Sequence, residues 1–282
     1  MRMEGKRLST RTGSSSTSRM PLEHKEKGMI LGGTARSPQD VQALQELGLG
    51  FAEIAILDPS AFSGQVRIYE ELKGSLEFEY VCHGPREGDP NDIHALDKDY
   101  YSKIKAIFPH MKSLGISLLT IHLWLDSRFV SEEAIRYKIN LLRRLSSIAS
   151  DEQVTLCLEN LSERSTDLEF ALQEVATLQL TLDVGHAQLL TEVNRSHEFL
   201  DRFPERIKHV HMHDNRGGRS HLDDLHLPPG EGIVDFGSVF RGLRRIGYSG
   251  RVTLELKTDE IRGCLSYVQG LISGNNVRAR ES

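Results

Sequence analysis

The sequence predicts an α/β chain folded as a (β/α)8 TIM barrel in a single domain. Three observations predict it. From Gly28 onward, short runs rich in Ile, Val and Leu alternate with longer amphipathic segments, an order that implies parallel strands joined by crossover helices. Eight such units fit into about the 250 residues typical of that barrel. The residues able to bind a metal or move a proton also gather at the C-terminal ends of the strands, where active sites of this fold lie. The competing architecture, an open doubly wound sheet, would normally carry a glycine-rich phosphate fingerprint after its first strand. Leu31-Gly32-Gly33-Thr34 does not supply one.

The elements follow in order. MILGGTA (29–35) reads as the first strand. SPQDVQALQELG (37–48) reads as a helix, with Ser37 as N-cap, Pro38 at its first position and Gly48 as its stop. FAEIAIL (51–57) is the second strand and 61–73 the second helix. EFEYVCHG (77–84) is the third strand, followed by a helix over 98–114. ISLLTIHLW (116–124) is the fourth strand, and Ser131-Glu132-Glu133 opens a helix to Ser150. QVTLCLEN (153–160) and LQLTLDVGH (178–186) are the fifth and sixth strands, with helices over 167–176 and 195–204 behind them. IKHVHMHD (207–214) is the seventh strand and DFGSVFRGLRRIG (235–247) a helix. GRVTLELK (250–257) is the eighth strand, and the last helix runs over 258–273.

Residues 1–27 contain RLSTRTGSSSTSRM, rich in Ser, Thr and Arg and poor in large apolar residues. Such a segment buries too little to fold, so a disordered extension is expected; residues 274–282 read as a second disordered tail. The barrel itself is expected over 28–273. A formal net charge of −5 gives no global electrostatic case for nucleic acid or an anionic membrane. No apolar run approaches the length of a membrane span. Cys82, Cys157 and Cys264 are few and scattered, which fits a reducing, cytoplasmic setting rather than a disulfide framework.

The chemistry lies at the strand ends. His83 ends the third strand, His122 the fourth, Glu159 the fifth, Asp183 the sixth, His211 the seventh and Glu255 the eighth. His186 follows Asp183 by three residues, and Asp224 and His226 lie in the loop after the seventh strand. Each alone has an ordinary explanation as a buried hydrogen-bonded histidine or an ion-pair partner. Charges inside apolar runs are costly unless paired or metal-bound, however, and the last six strands each carry a ligand-type residue at the same end. A divalent-metal site accounts for all of them at once. His209 and His213 share a face with His211 by the two-residue period of a strand. They are read as structural or supporting, with His209 deeper and His213 nearer the rim.

These motifs (C-H-G-P, T-I-H, C-L-E-N, L-D-V-G-H, H-V-H-M-H-D, D-L-H-L-P-P-G-E-G and L-E-L) resemble those of the xylose isomerase-like barrel superfamily. That superfamily holds sugar isomerases and epimerases together with the endonuclease IV family of abasic-site nucleases. The resemblance runs from about Gly28 to Leu271. It implies that Glu159, Asp183, His211 and Glu255 hold one ion, Mn, Mg, Co or Zn, as in single-metal epimerases. Glu159 and Glu255 would then take and return a proton on opposite sides of a sugar-like small molecule, and His186 would bond a substrate oxygen. Arg86, Trp124 and Arg216 are expected to contact substrate at the rim. The alternative implied is an endonuclease IV-like phosphoesterase with up to three Zn, in which His83, His122, His186, Asp224 and His226 complete the ligand set. Only that alternative brings nucleic acid as a partner. Two departures weigh against a duplex substrate: Asp183-Val-Gly-His186 stands where endonuclease IV has D-T-C-H, and Arg86 stands where it has a DNA-probing aromatic residue. The resemblance implies no membrane partner and leaves room for a homo-oligomer.

Overall fold

The computed structural model describes Met1 and residues 28–274. The extension expected over 1–27 and the tail over 274–282 fall outside the described residues, apart from Met1 and Gly274. Eight strands are present: β1 (Ile30–Ala35), β2 (Phe51–Ala55), β3 (Glu79–His83), β4 (Leu118–Ile121), β5 (Thr155–Glu159), β6 (Gln179–Asp183), β7 (Ile207–Met212) and β8 (Arg251–Leu254). They pair in parallel in chain order, and β8 returns to β1 to close the barrel. The helices are α1 (Pro38–Glu46), α2 (Pro59–Ser63), α3 (Val66–Leu76), α4 (Ile93–Ala95), α5 (Tyr101–Leu114), α6 (Glu132–Asp151), α7 (Ser165–Glu174), α8 (Ser196–Arg202), α9 (Phe236–Arg245) and α10 (Thr258–Ser273).

Local signals explain most boundaries. Ser37 caps α1 by accepting from the Asp40 amide, while the Asp40 carboxylate accepts from the Ser37 amide, the reciprocal bonding that satisfies two orphan amides. The single helix expected over 61–73 is two. Asp58 accepts from the Ser60 and Ala61 amides and starts α2 at Pro59, and α2 ends at Ser63 before Gly64. The helix expected to begin near 98 instead starts as α4 at Ile93, then widens through Leu96–Tyr100 into α5. His110 is half-buried with its ring edge against Phe62.

The apolar stripes of the helices pack on the outer wall of the barrel. Leu141, Leu142 and Leu145 of α6 and Phe236, Val239, Phe240 and Leu243 of α9 are fully buried there. Each such side chain contributes about 1.5–3 kcal/mol.

The lumen is what positions the site. Phe51, Val81, Leu118 and Cys157 form a separate apolar plug low in it. A Cβ on Gly32 would fall 2.5 Å from the Phe51 ring, so only glycine leaves room for that ring. One step higher the lumen is polar. Thr120 and Thr181 share a hydrogen bond of 2.8 Å, and His209 Nε2 lies 2.8 Å from the Thr253 hydroxyl. Burial pushes the His209 imidazole down to about 3 despite nearby Glu53, so it is neutral and structural. The next step up is the ligand layer.

Candidate metal centre and substrate cavity

All nine residues expected as ligands converge at the C-terminal mouth. His83 Nε2 and His122 Nε2 lie 3.2 and 2.7 Å from one oxygen of Glu159, Oε2. The other oxygen, Oε1, lies 3.2 Å from His211 Nδ1 and 3.2 Å from His186 Nδ1. Glu255 Oε1 approaches His211 Nδ1 from another side at 3.2 Å, and Asp183 Oδ2 stands 3.9 Å away. Asp224 Oδ2 accepts approaches from His186 Nε2 at 3.3 Å and His226 Nε2 at 3.2 Å. Glu159, Asp183, His211 and His213 are fully buried.

The ring orientations have a definite cause. His83, His186 and His226 each face a backbone carbonyl with Nδ1: Gly84 at 2.7 Å, Asn160 at 3.1 Å and Glu255 at 3.2 Å. A carbonyl only accepts, so Nδ1 carries the proton and donates. Nε2 is left aimed at a carboxylate oxygen, and either a proton or a cation must stand between them. Metal-binding histidines are oriented in this way, donating from the other ring nitrogen to a carbonyl or carboxylate. His211 is turned the opposite way. Its Nε2 donates to Glu53 Oε1, 3.1 Å away, and Nδ1 faces Glu159 and Glu255.

The donor set fits a divalent ion. Glu159 Oε1, Asp183 Oδ2, His211 Nδ1, both ring nitrogens of His213 and Asp224 Oδ1 are buried without a hydrogen-bond partner, although oppositely charged atoms crowd at 3.1–3.9 Å. Two donors held about 2.0–2.2 Å from one ion stand about 2.9–3.5 Å apart at tetrahedral or octahedral angles. Buried donors at such spacings without hydrogen-bond alignment suit a shared ion better than they suit one another.

The electrostatics agree. Burial opposes the ionisation of Glu159, but His122 and His211 outweigh it and hold the carboxyl well below its usual range. Burial is likewise overcome at Asp183 by His186 and His213, which keep it at about 2. Burial would lower His186 and His211, yet Asp183 and Asp224 raise the first, and Glu53, Glu255 and Glu159 raise the second. His226 is pushed up to about 9, with Asp224 and Glu255 overcoming burial.

Several contributors were not read from the sequence. Glu53, buried on β2, orients His211 and is held at about 2, because His211 and His209 outweigh the cost of its burial. It sits inside the apolar run FAEIAIL, the same mark that singled out the other carboxylates. Asp214 anchors the loop after β7, accepting from the amides of Gly230 and Gly232, both at 2.9 Å, and Val234 at 3.1 Å. A Cβ on Gly232 would lie 2.1 Å from the Asn215 carbonyl, which accounts for a glycine in the P-P-G-E-G turn. His213, expected in a supporting place, lies inside the cluster, with Nε2 3.1 Å from Asp183 Oδ1 and 3.8 Å from Asp224 Oδ1.

Above the ligands opens a cavity of about 700 Å³ whose wall includes His122, His186 and Asp224 below and Arg86, Trp124, Phe129 and Arg219 above. Arg86 and Trp124, expected to contact substrate at the rim, line this cavity. Arg216 is exposed and outside this wall, and Arg219 stands there instead. Three residues further along the loop brings a side chain over the mouth that the seventh strand's own end does not. Glu159 and Glu255 lie beneath the wall, with Glu255 the less enclosed (9% against 0% exposed).

Trp124 and Phe129 stack with centroids 5.0 Å apart and planes 18° from parallel. The stack rests on a buried frame. Glu87 accepts from the Trp124 amide and pairs with Lys138 at 2.8 Å, and Lys138 also donates to the Trp124 carbonyl at 2.7 Å. Such a wall offers an apolar face, cationic rim groups and a floor of carboxylates and imidazoles.

Comparison with known proteins agrees with the fold. The family model described as xylose isomerase-like TIM barrel matches residues 41–277. An uncharacterized protein of Methanocaldococcus jannaschii is 29% identical over 210 residues, which is 68% of this chain and 69% of that one. Inosose dehydratase of Bacillus licheniformis is 31% identical over 111 residues, 35% of this chain and 36% of that one. Among solved structures, a D-tagatose 3-epimerase-like protein superposes with a TM-score of 0.70 at 24% identity, covering 87% of this chain and 98% of that one. Among the described residues no helix is long and apolar enough to cross a membrane.

Proposed function

Since the chain belongs to the xylose isomerase-like TIM barrel family, we propose that it is a divalent-metal-dependent isomerase or epimerase of a sugar or sugar phosphate. One observation carries the reading. Two carboxylates, Glu159 and Glu255, flank the same His211 Nδ1 at 3.2 Å each, beneath a cavity of sugar size. Names among its relatives, a D-tagatose 3-epimerase-like protein and an inosose dehydratase, support the coarser part of this reading, an enzyme that modifies a sugar-like compound.

Glu159, Asp183, His211 and Glu255 would hold the ion. Bound there, it would polarise a carbonyl and the neighbouring hydroxyl and so acidify the hydrogen on the hydroxyl-bearing carbon next to that carbonyl. Glu255, the less enclosed carboxylate, is the better placed to take that proton. Glu159 has both Oε2 neighbours and both Oε1 neighbours occupied by histidines, so it serves more as an ionised ligand and as the acceptor on the far side. His186 and Asp224, on the cavity wall, would bond substrate hydroxyls. Trp124 would lie against a ring face, and Arg86 and Arg219 would meet an anionic substituent.

The test is solvent exchange. Ketoses, aldoses and their phosphates are incubated with the Mn- or Co-loaded protein in D2O and followed by proton NMR. Deuterium should enter beside the carbonyl of at least one of them, and Glu255→Gln should slow this by about 10²–10⁴. No exchange with any sugar, together with hydrolysis of a phosphodiester lost in Glu159→Gln, would overturn the reading. That second chemistry, an endonuclease IV-like polynuclear zinc phosphoesterase, is favoured by one observation: the nine ligand-type residues meet at a single mouth.

A further inference from the structure

We propose that Glu163 and Ser162 are positioning residues: they lock the loop after β4 to the loop after β5 and so fix the face that Trp124 turns to a substrate in the cavity. The substrate half of that statement rests on the function proposed above; the lock itself does not. Glu163 is buried between the two loops. Its Oε1 accepts from the Leu125 amide and its Oε2 from the Leu161 amide, both at 2.7 Å. One residue away on each loop, the Trp124 indole Nε1 donates to the Ser162 hydroxyl at 2.9 Å. That hydroxyl donates in turn to Asp126 at 2.8 Å, so its proton and one lone pair are both committed.

The residue types matter. A glutamate at 163 accepts from two amides at once, whereas a glutamine would turn its NH2 group toward one of the two N–H donors. The two carboxylates of the lock are balanced differently. Asp126 is bonded by Arg128 through Nε at 2.8 Å and Nη2 at 2.5 Å, and Arg128 and Arg195 both donate to the Ser162 carbonyl at 2.7 Å. Glu163 has no ion pair among the described residues, because the charged groups on the surrounding elements are engaged elsewhere. Lys138 of α6 pairs with Glu87 at 2.8 Å, Arg164 pairs with Asp167 of α7 at 3.1 Å, and Glu198 of α8 accepts from the Ser165 hydroxyl at 3.2 Å. Burial therefore pushes the Glu163 carboxyl up to about 7; the amides of Leu125 and Leu161 hold it down only in part, and Asp126 adds to the rise.

What the lock holds is the cavity wall, which Trp124, Leu161 and Ser162 all line. Glu87 and Lys138 bond only the backbone of Trp124, and a backbone bond leaves the two side-chain torsions of the indole to other contacts. Ser162 bonds the ring itself and sets its plane, while Phe129 stacks on it. A proton on Glu163 would place an O–H against one of the two amides and release that loop. The wall is thus held firm above about pH 7 and loosens below it.

Trp124 is the chain's one tryptophan, so its emission reads the wall directly. The full-length protein is loaded with Zn(II), an ion without redox chemistry, and acrylamide quenching of the indole is followed across neutral pH. Wild type should pass in one step, centred near pH 7, from strong quenching on the acid side to weak quenching on the alkaline side. Glu163→Gln should abolish the step and stay at the strongly quenched level. Ser162→Ala should raise quenching at every pH, and Ser162→Thr, which keeps the hydroxyl, should restore it; this pair carries the test should Glu163→Gln fail to fold. With the sugar that the exchange survey identifies, Ser162→Ala should raise KM by about 2–10-fold, the net worth of one hydrogen bond, with little change in kcat. The lock is overturned if wild type shows no step, if the step survives in Glu163→Gln, or if Ser162→Ala is quenched like wild type. An unchanged KM in Ser162→Ala overturns the positioning role. A wild type that shows the step, lost in Glu163→Gln, yet exchanges no sugar supports the lock and overturns the proposed function alone.

Discussion

Gly185→Ala is a mutation whose sign should depend on a residue 28 positions away. Gly185 has φ of −71° and ψ of −49°, a conformation any L-residue adopts. On backbone grounds alone, alanine there should stabilise the fold by about 0.4–1 kcal/mol by restricting the unfolded chain. The space decides otherwise, because the added methyl would meet His213 at 2.3–2.5 Å, and overpacking of a tight site costs about 1–3 kcal/mol. The net expectation is a loss of up to about 2.6 kcal/mol in wild type and a gain of up to about 1 kcal/mol in a His213→Ala background. The coupling of about 1–3 kcal/mol lies in the range measured for residues in contact. Urea unfolding of the chelator-treated protein, followed by circular dichroism and by the emission of its one tryptophan, Trp124, reads all four corners of the cycle. An equal cost in both backgrounds would refute the argument, for it would mean that His213 does not fill the space Gly185 leaves.

Other outcomes follow from the same geometry. Glu53→Gln should weaken binding of the ion at His211 by about 10–100-fold, the usual effect of losing a ligand's supporting partner, as measured by competition with a chromophoric chelator. Metal uptake should release protons. Glu53, Glu255 and Glu159 hold the His211 imidazole well above its ordinary value, so the ion must displace its proton, and affinity should rise with pH; calorimetry in buffers of different ionisation heat counts the protons. The sign for the metal-free fold is opposite: the raised His226 contributes stability in full below about pH 6.5, and this is lost as pH rises through about 9. Lys138→Met should cost about 3–5 kcal/mol in chemical denaturation by stranding the buried Glu87 carboxylate, and Glu87→Gln in the same chain should restore much of it.

The barrel was legible because each strand announces itself as an apolar run, and the site because ligand residues interrupt those runs at one end. What escaped reading has physical reasons. Glu53 interrupts its run near the middle rather than at the end, since it reaches across the lumen to His211 instead of up to the mouth. The frame under Trp124 joins Glu87 to Lys138 across 51 residues of chain, and nothing local in either segment marks the pair. α2 and α3 merged into one expected helix because the Asp58-Pro59 start lies next to the preceding strand's apolar end. His213 was assigned by strand period alone, which fixes the face but not the depth of a side chain at the end of β7. Its link to Gly185 exists only in three dimensions.

The apolar plug of Phe51, Val81, Leu118 and Cys157 has a consequence for the order of events. With the lower lumen filled and Gly32 pressed against the Phe51 ring, traffic to the ligand layer passes through one entrance. An ion held by Glu159 and Glu255 would lie under the cavity that a sugar would occupy. Under the proposed function loading would be sequential, with metal first and substrate second, and occupancy of the cavity would trap what lies beneath. Slow loss of metal to a chelator in the presence of a saturating sugar, and fast loss in its absence, would be the kinetic signature of a vessel with a single door.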